Sequence, residues 1–447
     1  MPYDTAPDGV LESLLGHARS AGADAADASL SISESLSVDV RMGEFEGVER
    51  SESRSVGLRA FIGKKQAGAT TSDLSPDGLK ALAERVVAMA KFAPEDPWCG
   101  LLDPSERATS FPDLDTSDDA RPDADTLEAM AKDAENAALA VAGVTNSSGS
   151  GASWSAGSVF MRTSDGFSGA SRASSYGVGV SPLAERDGKK ERDWDGHNTR
   201  HFSELRKPAD IGRTAGERAV ARLGSRKIES CKAAVIFENR LAGSMVSPML
   251  GAISGGAIAR GVSFLKEKLG QQVYAKGVNI EDDPFRKRGL SSRPFDGEGA
   301  PGQRRLLIDD GVLTTWLLNA SAARQLGLKS TGHATLGHGG PPGISSTNVT
   351  LQPGTRSLAE LMKDAGKGLL ITDKFSPSLN ANTGDWSVGV SGFWFENGER
   401  AYPVSEITVA GNLIDIFARL VPGSDLDRRG GVDAPSVLID DLTIAGV

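Results

Sequence analysis

Along the chain, apolar positions fall at helical spacing in some stretches and alternate with polar ones in others. Residues 7 to 21 carry Leu11, Leu14, Leu15 and Ala18 on one helical face, and Gly22 follows as a stop. The next stretch, LSVDVRMGEFEGVERSESRSVGLRAFIGKKQAGATTS, alternates apolar and polar residues with glycine at intervals and predicts a meander of strands. In SPDGLKALAERVVAMAKF, Ser75 is suited to cap, Pro76 takes the first helical position, and Leu79, Leu82, Val86, Met89 and Ala90 form one stripe.

Residues 93–125 break the pattern with Pro94, Pro97, Pro104, Pro112, Pro122 and many aspartates, a composition that reads as a linker. A helix is predicted over about 126–142, followed by a Ser/Gly-rich stretch whose apolar positions alternate, as in antiparallel strands with one solvated face. A helix from Pro208 to Leu223, stopped by Gly224, precedes the main boundary. The C-terminal part opens with AAVIFENRLAGSMV, a buried strand Ala233–Phe237 leading into a turn, with Ser247 and Pro248 marking the start of the next helix. Asp310-Gly311 and Asn397-Gly398 each separate two strand-like runs and predict hairpins, and Ser357 with Glu360 forms a capping box.

The reading is α+β. It comprises an N-terminal subdomain of helices on antiparallel strands (1–92), the linker (93–125), a second Ser/Gly-rich strand and helix subdomain (126–228), and a mainly antiparallel, barrel-like β domain with helices (229–447). Glycine at 53 of 447 residues, about 12% against a typical ~7%, supports turn-rich β structure.

Charge narrows the partners. With 49 Lys and Arg against 59 Asp and Glu, the net charge of −10 repels a phosphate backbone, so direct nucleic-acid binding is not expected. Basic groups such as Arg286, Lys287, Arg288 and Arg304, Arg305 read as solvated surface. Two distant cysteines, Cys99 and Cys231, suit a reducing compartment. The first residues lack the features of a signal peptide, and no apolar run approaches the ~20 residues of a membrane span, so a cytoplasmic protein is expected.

Candidate chemistry is sparse. His197 and His201 have the spacing of two ligands on one helix face, but turn residues precede them; His333 and His338 lie in a Gly/Pro loop. Ser254 in AISGG resembles a nucleophile elbow without the strand that should precede it, and Glu238 has no partner acid or base in its motif. The glycines of GHGGPPG lack the strand and helix of a phosphate loop.

The segments LGAISGGAIARGVSFLKEKLG, TTWLLNASAARQLGLKSTGHA, STNVTLQPG and, above all, TGDWSVGVSGFWFENGERAYPVSEITVAGNL carry a resemblance. On them the chain is identified as a member of the TldD/PmbA family of two-component peptidases, and it resembles the PmbA (TldE) branch. That resemblance implies a zinc motif, HExxxH, at the strand entering the C-terminal domain of the TldD-type subunit, with a later cysteine. In this chain the motif falls on FENRLA, where Glu238 matches the glutamate and Phe237 and Ala242 stand at the histidine positions. The cysteine's neighbourhood corresponds to DLDRRGGVDAPSVLID, which has none.

The resemblance therefore implies no metal on this chain, zinc on a TldD-type partner, and a heterodimer around an enclosed chamber, with a homodimer as the alternative when that partner is missing. Peptide substrates would lie along β-edges, with Asn348, Asp385 and Ser391 as candidate contacts; turn chemistry gives the first two a purely structural alternative. Two other readings stand beside it: metal-free hydrolysis through Ser254 or Glu238, and a stand-alone peptide-binding or regulatory protein, with DNA gyrase the target suggested by the family's older naming.

Overall fold

The computed structural model describes residues 7–447. Helix α1 (Pro7–Ser20) buries Val10, Leu11, Leu14 and Ala18, the stripe its spacing predicts. The meander follows as β1 (Ala25–Arg41), β2 (Glu44–Ile62) and β3 (Lys65–Thr71). Helix α2 (Pro76–Phe92) starts as expected, Ser75 accepting a hydrogen bond from the Gly78 N–H. Then come α3 (Ala124–Leu139), β4 (Val144–Thr163), β5 (Ser168–Arg186), β6 (Lys189–Arg192), β7 (Asp195–Thr199) and α4 (Pro208–Ala221).

These strands form one sheet, ordered β3-β2-β1-β4-β5-β6, with β7 also on β5. The segments read as two subdomains are thus joined through β1 and β4, paired from Asp27 opposite Thr163 to Val40 opposite Ser150. Alternation along β1 explains the covering. Ala26, Ala28 and Leu30 pack under α1 and α2, and Leu36, Val38 and Val40 under α3 and α4, all from even positions and so one face. The odd positions carry serines, and the C-terminal half meets that face.

The 93–125 segment is not a free linker. Four of its apolar residues, Cys99, Leu102, Ala108 and Leu114, are buried at separate points, Ala108 against Met161, Phe167 and Phe295, and Leu102 against Ala300 and Ala320. Composition averages over the stretch and misses this; the strap is held by isolated anchors between the two halves.

The C-terminal half runs β8 (Cys231–Phe237), α5 (Asn239–Ala252), α6 (Gly255–Ala259), β9 (Ile280–Asp283), β10 (Arg305–Asp309) and β11 (Val312–Leu313). It continues with α7 (Ala320–Leu326), β12 (Asn348–Leu351), α8 (Leu358–Ala365), β13 (Lys367–Leu379), β14 (Asp385–Glu396) and β15 (Glu399–Asn412). It ends with α9 (Leu413–Arg419), β16 (Val421–Pro422), β17 (Val432–Asp433) and β18 (Val437–Ala445).

Strands β15-β14-β13-β8-β18 lie side by side, and β18 pairs back onto β15, closing a five-stranded barrel. A second sheet runs β11-β10-β9-β12-β17. Along β8, Val235 and Phe237 enter the main core while Ile236 faces the smaller cluster under α8. The expected α+β class with a barrel-like C-terminal domain is what the fold shows. Both hairpins form where predicted, with positive φ at Asp310, Gly311, Asn397 and Gly398 as a two-residue turn requires. The Ser357–Glu360 capping box is present.

One helix start differs. Helix α5 begins at Asn239 and runs through Pro248 instead of starting there. Its buried stripe of Leu241, Ala242, Met245, Val246, Met249 and Ala252 outweighs the local start signal. Among the described residues, no helix is long and apolar enough to cross a membrane.

Candidate functional site

Strand β8 carries the chain to Phe237 and Glu238, the residues that the resemblance sets against the zinc motif. Phe237, at its end, is fully buried with its ring centroid 6.2 Å from that of Trp386. Glu238 makes the turn, its N–H bonded to the Ile371 carbonyl at 3.1 Å and its own carbonyl accepting from Leu241 and Ala242 to start α5. Ala242, one turn on, is also fully buried. Phe237 and Ala242 belong to one continuous apolar core.

The charged chemistry lies with Glu238. One of its oxygens, Oε2, is buried without a hydrogen-bond partner, 3.6 Å from Arg240 Nε. The Arg240 side chain is 1% exposed. It donates through Nη1 to Asp193 Oδ1 (2.8 Å) and the Trp194 carbonyl (2.7 Å), and through Nη2 to the Thr372 carbonyl (2.8 Å), with its guanidinium 5.0 Å from the centroid of the Trp194 ring. Burial works against its charge, but Asp193 and then Glu238 outweigh it and hold the Arg240 pKa above the ordinary value.

The network continues across the seam between the halves. Arg222 reaches Asp193 at 3.6 Å and Asp373 at 2.9 Å. Asp195, on β7, accepts from Arg206 (2.8 Å), Arg218 (3.1 Å) and Arg429 (3.2 Å), which together keep its pKa low against the opposing effect of burial. The C-terminal stretch lies beside Glu238: Asn239 donates from Nδ2 to the Asp425 carbonyl (2.8 Å), and its N–H bonds to Ser436 Oγ (3.0 Å).

These residues do not fit a zinc ion. Zinc takes imidazole nitrogen, thiolate or carboxylate oxygen. Phe237 and Ala242 offer hydrocarbon, and the one carboxylate faces an arginine that already supplies positive charge. Among the described residues, no group of three or more His, Cys, Asp or Glu is placed to hold a metal.

The other candidates are dispersed. His197 lies on β7, and His201 caps a short 3-10 turn, so the two do not share a helix. His333 is buried against Asp282 (2.7 Å) and Thr331 (2.7 Å). His338 bridges Ser29 and Ser55 of the N-terminal sheet, 2.9 Å from each. Ser254 precedes α6 and makes no side-chain cap.

Asn348 is buried on β12, in the second sheet, with its amide bonded to the Asp283 carbonyl and Ser292. Asp385 and Ser391 lie on β14 of the barrel, the first exposed and bonded by Thr383 and Asn412, the second buried opposite Asp373. The Arg240–Asp193 pair escapes a sequence reading, although DWDG, two acids flanking Trp194, was its available signal.

The chain matches three family models: PmbA/TldA metallopeptidase domain 1 over residues 26–90, the central domain over 117–223, and the C-terminal domain over 230–446. It is 36% identical to Metalloprotease PmbA of Escherichia coli O157:H7 over 425 residues, 95% of this chain and 92% of that protein. It is 35% identical to the Metalloprotease PmbA homolog of Haemophilus influenzae, covering 96% and 94%. Among solved structures, TldE from Thermococcus kodakarensis superposes with a TM-score of 0.88 at 18% identity over 98% of this chain and all of that one, a likeness of fold. A Thermotoga maritima protein described as a candidate modulator of DNA gyrase gives a TM-score of 0.88 at 26% identity, covering 98% and 100%. Matched in all three domains and over nearly its full length, the chain belongs to the PmbA/TldD metallopeptidase family.

Proposed function

We propose that this chain is the non-metal subunit of a heteromeric zinc peptidase that processes or degrades small or unfolded peptides in the cytoplasm. It shapes the chamber and binds substrate, while a TldD-type partner carries the zinc. The observation that supports this reading is the state of the motif position: Phe237 and Ala242 fully buried in an apolar core, and Glu238 beside the guanidinium of Arg240. A metal-bound water that attacks a peptide carbonyl needs ligands and an open coordination position. This position offers neither.

The test is zinc content and peptide cleavage by the purified chain, alone and mixed with a TldD-type subunit. The expected outcome is no bound zinc and no cleavage alone, with cleavage and co-elution in the mixture. Stoichiometric zinc on the isolated chain, or efficient cleavage without a partner, refutes the reading. A stable complex with a different protein and no affinity for a TldD-type subunit would favour a peptide-binding or regulatory role instead.

A further inference from the structure

At the seam between the halves, β7 and two C-terminal loops line a cavity of about 390 Å³. One loop contributes Arg286, Lys287 and Arg288, the other Arg428 and Arg429, and β7 contributes His197. Five lining residues are cationic and one, Glu204, is acidic. In a chain of net charge −10, this concentration runs against the field of the whole molecule.

Three of the five cations are already neutralised. Arg286 pairs with Asp433, Arg288 with Asp115 and Glu204, and Arg429 with Asp427 and Asp195. Lys287 and Arg428 are in none of the ion pairs among the described residues, and Lys287 acts on Asp115 only at longer range, as the last of the charges that lower its pKa. His197 adds a neutral donor: its Nδ1 accepts the Arg206 N–H (3.2 Å), which leaves the proton of the uncharged ring on Nε2.

Both loops are fixed in advance. Asn348 donates to the Asp283 carbonyl (2.7 Å) and Ser292 Oγ (2.8 Å), and its Oδ1 accepts from the Ser291 N–H (3.0 Å) and Arg286 Nη2 (3.3 Å). Asp433 Oδ1 accepts the N–H groups of Arg429 (2.9 Å) and Gly430 (2.8 Å). Arg288 sits at a φ of 56°, a left-handed conformation, with its N–H bonded to the Leu114 carbonyl (2.8 Å) and its side chain paired with Asp115 and Glu204.

We propose that this cavity is a carboxylate-binding site that holds the C-terminal carboxylate or an acidic side chain of a peptide, with Lys287 and Arg428 as its uncommitted cations and His197 as its neutral donor. The guanidinium of Arg428 matches the two oxygens of a carboxylate with paired N–H donors, while Lys287 supplies a point charge. Asn348 is a positioning residue for the first loop. The choice of a peptide as carrier rests on the function proposed above.

The experiment measures fluorescence anisotropy of short labelled peptides on the full chain. The probes are one sequence with a free C-terminal acid, the same sequence amidated, and the amide with one internal glutamate. The acid is expected to bind about tenfold or more tighter than the amide, and less so as salt rises. Recovery of affinity by the internal glutamate assigns the site to acidic side chains; its failure assigns it to the chain terminus.

Lys287→Ala and Arg428→Ala, both at exposed positions, should each weaken the acid about five- to tenfold and leave the amide unchanged, with unaltered thermal midpoints. Equal binding of acid and amide, or an unchanged ratio in both variants, overturns the site. Displacement of the peptide by an equal concentration of inorganic phosphate overturns the peptide assignment. No detectable binding of the acid also overturns the site; if the mixture with a TldD-type subunit still cleaves peptides, the proposed function stands without it.

Discussion

Glu298 is buried between the halves, where its Oε2 accepts the Ala320 N–H at 2.7 Å. Burial first, and then the neighbouring charge of Asp296, raise its pKa to about 7. A carboxyl raised in the folded state takes up a proton on folding. Its contribution to stability is therefore complete below the unfolded value of about 4.3 and is lost as pH rises through the folded value. Denaturant unfolding at about pH 5 and about pH 8 should show the wild type losing a few kcal/mol more on the alkaline side than Glu298→Gln. Identical pH dependence in the two proteins would refute this. In the sequence, Glu298 looks like an exposed turn acid in FDGEGAPG, because its burial comes from contacts that no local pattern encodes. The end of β8 divides the same way. Phe237 is legible as the end of a buried strand, whereas the partner that ties down Arg240 stands 47 residues upstream.

At the scale of elements, local signals were legible wherever the local chain decides the outcome. The Asp310-Gly311 and Asn397-Gly398 turns and the Ser357–Glu360 cap need only neighbouring residues, and all form as read. Helix α5 is the contrary case. Ser247 and Pro248 state a helix start, yet tertiary burial extends the helix nine residues further back, from Pro248 to Asn239, at the expense of one hydrogen bond at the proline. Pro248→Ala restores that N–H donor and should raise stability by about 1–3 kcal/mol, read as a shifted urea midpoint at unchanged slope. A lower midpoint would mean that the core over α5 depends on the geometry the proline imposes. The 93–125 strap was illegible for a different reason: single buried anchors such as Leu114 carry no period.

The two halves of the molecule also meet where loop 337–343 lies on the serine face of the N-terminal sheet. Gly57 and Gly68 make that approach possible: a Cβ at Gly57 would fall 2.4 Å from the His338 carbonyl carbon, and one at Gly68 would fall 2.2 Å from the Gly339 oxygen. Gly68→Ala should lift the loop, seen as faster amide exchange across 337–343 with the β1–β4 ladder unchanged, and unaltered exchange would refute the contact. GHGGPPG had no strand or helix to explain its glycines because their partners lie in the other half of the chain. Barrel closure carries a last consequence, for the order of folding. Phe237 pairs with Ile371 on one side and with Val437, 200 residues further on, on the other. On a ribosome, β8 emerges as an apolar strand with both edges open and must wait for most of the C-terminal half before either is covered. During synthesis this makes AAVIF a point of exposure to aggregation, guarded only by how soon β13 and β18 arrive.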